Sequence, residues 1–159
     1  MNKKVKINNK VIESGSTPYV IAEISANHNG DIGRAFEMIE AAKECGADAV
    51  KIQSYTPDSL TIPCDKTDFK IVGGLWDGYT LYELYREAHT PYSWHHELFE
   101  KAKEVGITIF STPFDEYAVD LLEELKVPAY KVASFEMTDH NLLKYVARTN
   151  KPVILSTGM

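Results

Sequence analysis

Five apolar runs constrain this chain more than anything else in it: Tyr19–Ser25, Ala49–Ser54, Ile107–Thr112, Ala129–Ser134 and Pro152–Thr157. Each has the length of a strand, and each carries polar groups where a core residue is expected. Lys51 and Lys131 stand inside two of the runs and Glu23 inside a third. An unpaired buried charge is too costly to keep. Glu23, Lys51 and Lys131 are therefore expected to face one shared polar site. Strand alternation puts Ile21, Glu23 and Ser25 on one face of their strand and Lys51 with Gln53 on one face of theirs, the face that points inward in a barrel. The same alternation turns Val20, Ala22 and Ile24 toward covering helices.

Helical periods fill the gaps between the runs. Asp31 is a cap for a helix with Ile32, Ala35, Phe36, Ile39 and Ala42 on its apolar face, stopped by Gly46. Ser93 is the expected cap of a second, carrying Leu98, Phe99, Ala102 and Val105 up to Gly106. Asp115 opens a third with Val119, Leu122 and Leu125, and Thr138 or Asp139 a fourth with Leu142, Leu143 and Val146. Alternating strands and helices imply a parallel sheet covered by helices. From the third strand onward the repeat is about 22 residues, close to the minimum for a βα unit.

No GxGxxG follows the first strand, which argues against a dinucleotide-binding sheet. Polar residues at the ends of successive strands match the C-terminal face of a (β/α)8 barrel. The expected architecture is a partial barrel of about the first five βα units. Residues 4–13, with Asn8-Asn9 as their turn, read as a β-hairpin ahead of it. The expected organisation is a hairpin over 1–15 and barrel over 16–159, with a long loop insertion at 56–92. That insertion holds Pro57, Pro63, Gly73-Gly74, Asp77-Gly78 and a short candidate helix from Leu81 to Ala88. Its aromatics, Trp76, Tyr79, Tyr82 and Tyr85, are expected to pack rather than to touch a ligand. A barrel needs eight strands, so roughly three are missing and the chain reads as the front of a longer protein.

Composition bounds the function. The 159 residues have 44% hydrophobic and 25% charged content, as in a soluble domain of ordinary size. A net charge of −6 argues against a nucleic-acid binder but leaves room for a local basic pocket. Cys45 and Cys64 are too few for a disulfide framework, and the N-terminus lacks the apolar stretch of a signal peptide. No run approaches the ~18 apolar residues of a membrane span. A cytoplasmic protein with reduced thiols is expected.

The residues themselves narrow the chemistry. A lysine in a barrel binds an anion as a point charge or, with a lowered pKa, forms a Schiff base. Hydroxyls at the strand ends, Ser111, Thr112, Ser134, Ser156 and Thr157, favour an anion cradle. Glu23 is a candidate for proton transfer or for hydrogen bonds to a sugar, in a loop crowded by Asn27, His28 and Asn29. His28 is a possible metal ligand, and Asn29-Gly30 reads as a turn. His95 and His96 are adjacent, point about 100° apart, and read as surface or capping residues. No zinc-type spacing occurs, and no metal residue is assigned.

Five stretches together resemble the sialic acid synthase family: Val20-Ile-Ala-Glu-Ile-Ser-Ala-Asn-His-Asn-Gly30, Ala47-Asp-Ala-Val-Lys-Ile-Gln53, Phe110-Ser-Thr-Pro-Phe114, Tyr130-Lys-Val-Ala-Ser134 and Ile154-Leu-Ser-Thr-Gly-Met159. The insertion Gly73-Gly-Leu-Trp-Asp-Gly-Tyr-Thr-Leu-Tyr82, with Thr90-Pro-Tyr-Ser-Trp-His95, looks most like the pseudaminic acid synthase branch.

The resemblance implies condensation of phosphoenolpyruvate with an open-chain amino sugar, here a 2,4-diacetamido-2,4,6-trideoxy hexose, with loss of phosphate by C–O cleavage. It implies phosphoenolpyruvate binding by Lys51, Thr112, Lys131, Ser134 and Ser156. It implies sugar contacts from Glu23, Asn27 and Gln53, with Glu23 and Lys51 catalytic. It also implies a divalent metal, commonly Mn2+, whose two histidine ligands lie on later strands beyond Met159. A small antifreeze-like domain would follow them and cover the partner's site in a homodimer. On this reading the chain alone is inactive. The alternatives are an N-acetylneuraminate or legionaminate synthase, a Schiff-base aldolase on Lys51 or Lys131, and a half-barrel that only binds or assembles.

Overall fold

A computed structural model describes residues 4–158 of the 159. The hairpin forms from β1 (Val5–Ile7) and β2 (Lys10–Ile12), antiparallel and turned at Asn8-Asn9, with Asn8 at φ 52°. It is held to the main body where Lys10 pairs with Asp48, whose other oxygen accepts from the Val20 N–H at 2.8 Å.

The main sheet has five strands: β3 (Ile21–Glu23), β4 (Ala49–Ser54), β5 (Thr108–Pro113), β6 (Tyr130–Val132) and β7 (Val153–Leu155). Their spatial order is their chain order, and every neighbouring pair is parallel. Sequential parallel strands, each returned by a helix, make the first part of a (β/α)8 barrel. The crossovers are α1 (Ile32–Glu44), α4 (His95–Val105), α5 (Glu116–Glu124) and α6 (His140–Arg148). The 56–92 segment holds α2 (Pro57–Leu60) and α3 (Leu81–Ala88).

Helix starts follow local chemistry. Asp31 accepts from the Gly33 and Arg34 N–H groups, Asp115 from Ala118, and Asp139 from Asn141 and Leu142. Thr80 and Glu83 form a reciprocal capping box on α3. Ser93 is not a cap. It lies inside a single 3-10 turn (Tyr92–Trp94) that runs straight into α4, so no side chain is needed there. Gly106 closes α4 at φ 76°, a conformation a Cβ would strain.

The core lies between the sheet and the helices. Ile24, Val50, Ile52 and Ile109 pack against Ala35, Ile39, Leu98 and Ala102 under α1 and α4. Val119, Leu122, Val127, Tyr130, Leu142 and Val146 form a second cluster under α5 and α6. Each fully buried Ile or Leu side chain contributes about 1.5–3 kcal/mol. Val20 departs from expectation. It precedes β3 and is 53% exposed, because the strand begins only at Ile21. Among the described residues no helix is long and apolar enough to cross a membrane.

Candidate active site

Register builds the site. The β4–β5 pairing sets Gln53 beside Thr112, and the β5–β6 pairing sets Ser111 beside Tyr130, which carries Thr112 next to Lys131. Lys131 in turn sits beside Ile154, two residues before Ser156. Alternation sends Val50, Ile52 and Ser54 into the helix side, all at 1% exposure or less. Lys51, Gln53, Thr112, Lys131 and Ser156 are left on the concave face.

There the polar groups meet. Lys51 pairs with Glu23 and donates to Thr112 Oγ1 at 3.5 Å. Lys131 donates to Ser156 Oγ at 2.6 Å and to the Val132 carbonyl at 2.9 Å. Each ammonium has three hydrogens, so each keeps one unspent, as do the accepting hydroxyls of Thr112 and Ser156. Glu23 answers Lys51, whereas Lys131 has only neutral oxygens within bonding distance. Burial and the neighbouring Lys51 charge push the Lys131 pKa below the usual lysine range. The arrangement is a cradle of donors with more positive charge than it neutralises.

The other expected residues take different places. Ser25 is held at φ 41° and donates to Glu23 Oε1, fixing that carboxylate at the strand end. Ser134 opens the turn after β6 and lies against Gly158, whose Cβ, if it had one, would stand 3.6 Å from Ser134 Oγ. Asn27 is exposed in the loop above β3, and its side chain bonds to none of the cradle residues. Gln53 lines a cleft of about 470 Å³ with Tyr55, Tyr85, Phe114, Phe135 and Glu136.

Two of the three singled-out histidines, His28 and His95, are structural. Gly30 N–H donates to His28 Nδ1 at 3.1 Å, so Nε2 carries the proton and donates to Thr90 Oγ1 at 3.2 Å. With both nitrogens spent, His28 ties the β3 loop to the end of the insertion and is not free for a metal. His95 corrects the surface reading: it is fully buried, while His96 is exposed. His95 Nδ1–H donates to the Pro91 carbonyl at 3.1 Å and Nε2 accepts from Ser54 Oγ at 2.7 Å. With the Ser54 hydrogen spent on His95, Ser111 Oγ is the donor in its 2.6 Å contact with Ser54 Oγ, and it also lies 3.2 Å from the Ile52 carbonyl. Burial pulls the His95 pKa down to about 4.

Sequence reasoning missed Glu136 and the aromatic wall. The Glu136 Oε2 atom is buried with no partner, and burial pushes its pKa up. The only signal was its place in the loop after a barrel strand, where such folds keep function. A larger cavity of about 650 Å³, lined by Lys10, Tyr19, Asp48 and Thr108, lies at the opposite ends of the strands, away from Lys51 and Lys131. Among the described residues no three His, Cys, Asp or Glu side chains converge to hold a metal ion.

The NeuB family profile matches residues 38–159. The chain belongs to the NeuB family. The pseudaminic acid synthase of Campylobacter jejuni is 53% identical over 141 residues, covering 89% of this chain and 41% of that protein. The pseudaminic acid synthase of Helicobacter pylori is 51% identical, with 89% and 42% covered. The N-acetylneuraminic acid synthetase of Leptospira borgpetersenii, solved in complex with citrate, superposes with a TM-score of 0.85 at 27% identity, over 100% of this chain and 51% of that one. The chain thus spans about two fifths of the length of its curated relatives. Its half-barrel is the front of the NeuB barrel.

Proposed function

We propose that this NeuB chain supplies the phosphoenolpyruvate-binding part of a nonulosonic acid synthase that makes pseudaminic acid from a 2,4-diacetamido-2,4,6-trideoxy hexose. The observation that carries the reading is the two-lysine cradle with unspent donors and unneutralised charge. Lys51, Thr112, Lys131, Ser134 and Ser156 would hold the phosphate and carboxylate of phosphoenolpyruvate. The sugar assignment draws on the 53% identity to a pseudaminic acid synthase.

In this reading C3 of phosphoenolpyruvate attacks the sugar's aldehyde carbon, forming the C–C bond, while the aldehyde oxygen takes up a proton. Water adds at C2, and collapse of that centre expels phosphate with its bridging oxygen. Glu23, fixed by Ser25 and paired with Lys51, stands where a carboxylate can pass a proton to the aldehyde oxygen or take one from the water. Gln53 and Asn27 would contact the sugar, and the full-length enzyme would act as a homodimer with a divalent metal bound beyond this chain.

The lowered pKa of Lys131 keeps the Schiff-base reading as the competitor. One experiment separates them. The intact protein is given phosphoenolpyruvate labelled with 18O at the bridging oxygen, together with the diacetamido sugar. Label in the released phosphate is expected. Unlabelled phosphate, or a borohydride-stable adduct on either lysine with a keto substrate, would sink the proposal.

A further inference from the structure

We infer that the cavity of about 650 Å³ at the strand beginnings is a binding site of its own, for a small organic anion that carries one carboxylate on an apolar body.

Place is the first argument. Tyr19 precedes β3, Asp48 precedes β4, Thr108 opens β5, and the hairpin turn with Asn8 and Lys10 closes one side. Asp48 comes three residues before Lys51, and Thr108 four before Thr112. At about 3.3 Å per residue the cradle is roughly 10–13 Å away along the strands. The two sites share no residue.

The lining is the second. Phe99, Ile107, Ile109 and Leu125 give the cavity an apolar surface. A polyol against it would leave hydroxyls unpaired, whereas a ring or a branched alkyl group covers it well. The volume suits a small molecule. Polar groups gather around this surface, and their charges do not balance. Lys10 pairs with Asp48, and Lys103 with Glu100 at 3.3 Å. Among the described residues no carboxylate pairs with Lys126, the third lysine of the lining. One surplus charge calls for a monoanion, and a phosphate ester would bring nearly two.

Tyr19 points to the same ligand. Its hydroxyl is buried with no hydrogen-bond partner among the described residues, which is costly to keep. Burial pushes its pKa up, so it stays a donor. Lys10 lies over the ring, 5.6 Å from its centroid, and steadies it. A carboxylate in the cavity would give this phenol an acceptor and offset the surplus charge of the rim.

The backbone at Lys126 is the last argument. The Lys126 N–H donates to the Glu123 carbonyl and the Val127 N–H to that of Leu122, both at 3.0 Å, closing α5 with Lys126 at φ 56°. The same two bonds close α1 at Gly46 and α4 at Gly106, where glycine takes the left-handed backbone without strain. A cation suits a helix C-terminus, but Lys43 and Lys103 serve that end from inside α1 and α4. The strained position of Lys126 puts a long cationic side chain at the cavity instead.

The test titrates 2-naphthoate, a flat bicyclic body with one carboxylate, into the intact protein by calorimetry, with and without saturating phosphoenolpyruvate. Saturable binding of about one equivalent, undiminished by phosphoenolpyruvate, is expected. The neutral 2-naphthamide should bind roughly tenfold more weakly, and 2-naphthoate should lose roughly tenfold in affinity in Lys126→Asn and in Tyr19→Phe. Asparagine tolerates the left-handed backbone and phenylalanine keeps the ring, so if one variant fails to fold the other decides. No saturable binding, displacement by phosphoenolpyruvate, equal affinity for the acid and the amide, or undiminished affinity in a folded variant overturns the inference.

Discussion

Two polar clusters share β4 and β5 on opposite faces of the sheet, and one of them runs on across β6 to the end of β7. On the helix side Ser54, Ser111 and His95 form a closed chain in which every hydrogen has a destination, ending on the Pro91 carbonyl. On the concave side Lys51, Thr112, Lys131 and Ser156 hold more donors than acceptors, and more positive charge than Glu23 returns. Composition does not separate them, since both mix hydroxyls with a nitrogen base. Hydrogen accounting does. The closed cluster pins α4 to the sheet, and the open one is unfinished without an anion.

The largest test of that contrast is Lys131→Ala in the intact protein. Removing a charge-assisted contact should weaken phosphoenolpyruvate binding by about 2–4 kcal/mol, or roughly 30- to 1,000-fold. The melting temperature should scarcely move. Calorimetric titration showing unchanged affinity would take Lys131 out of the site.

Acid should act on the other cluster. His95 titrates near 4 in the fold and near 6.5 when unfolded, so the unfolded chain binds the extra proton. Stability is then full above pH 6.5 and falls as pH drops toward 4, by about 3 kcal/mol in all. The lowered pKa of His28 adds in the same direction. Denaturant melts across this range should show the loss in the unaltered protein and much less of it in His95→Gln. An equal loss in both would mean that His95 is not the titrating group. Phosphoenolpyruvate affinity at pH 7.5 should not change in that variant.

The smallest effect sharpens the comparison by touching neither cluster. Asp31→Ala removes the cap of α1 and should cost about 1 kcal/mol of stability with no change in ligand affinity. A loss of affinity as well would show that the β3 loop and the cradle are coupled.

Much of the fold was legible because its signals are local. The alternation of apolar runs with helical periods, the Asp caps and the inward placement of Lys51 and Lys131 all follow from neighbours two to four residues apart. The start of α4 was misjudged because a 3-10 turn replaced the side-chain cap. His95 was misread for a different reason. A lone histidine near a helix start carries no mark of burial, and its serine partner lies 41 residues away.

The sequence by itself determined that this is a parallel half-barrel with two lysines and a glutamate at the mouth. Strand period and the cost of buried charge allow little else. Tertiary structure alone decided how those charges pair. Strand register gives Glu23 to Lys51 and leaves Lys131 to Ser156, 25 residues along the chain. It also decided that the insertion folds back to wall the cleft beside Glu136. Such contacts join residues far apart in the chain, and no local pattern encodes which of several equally suitable partners the register will bring together.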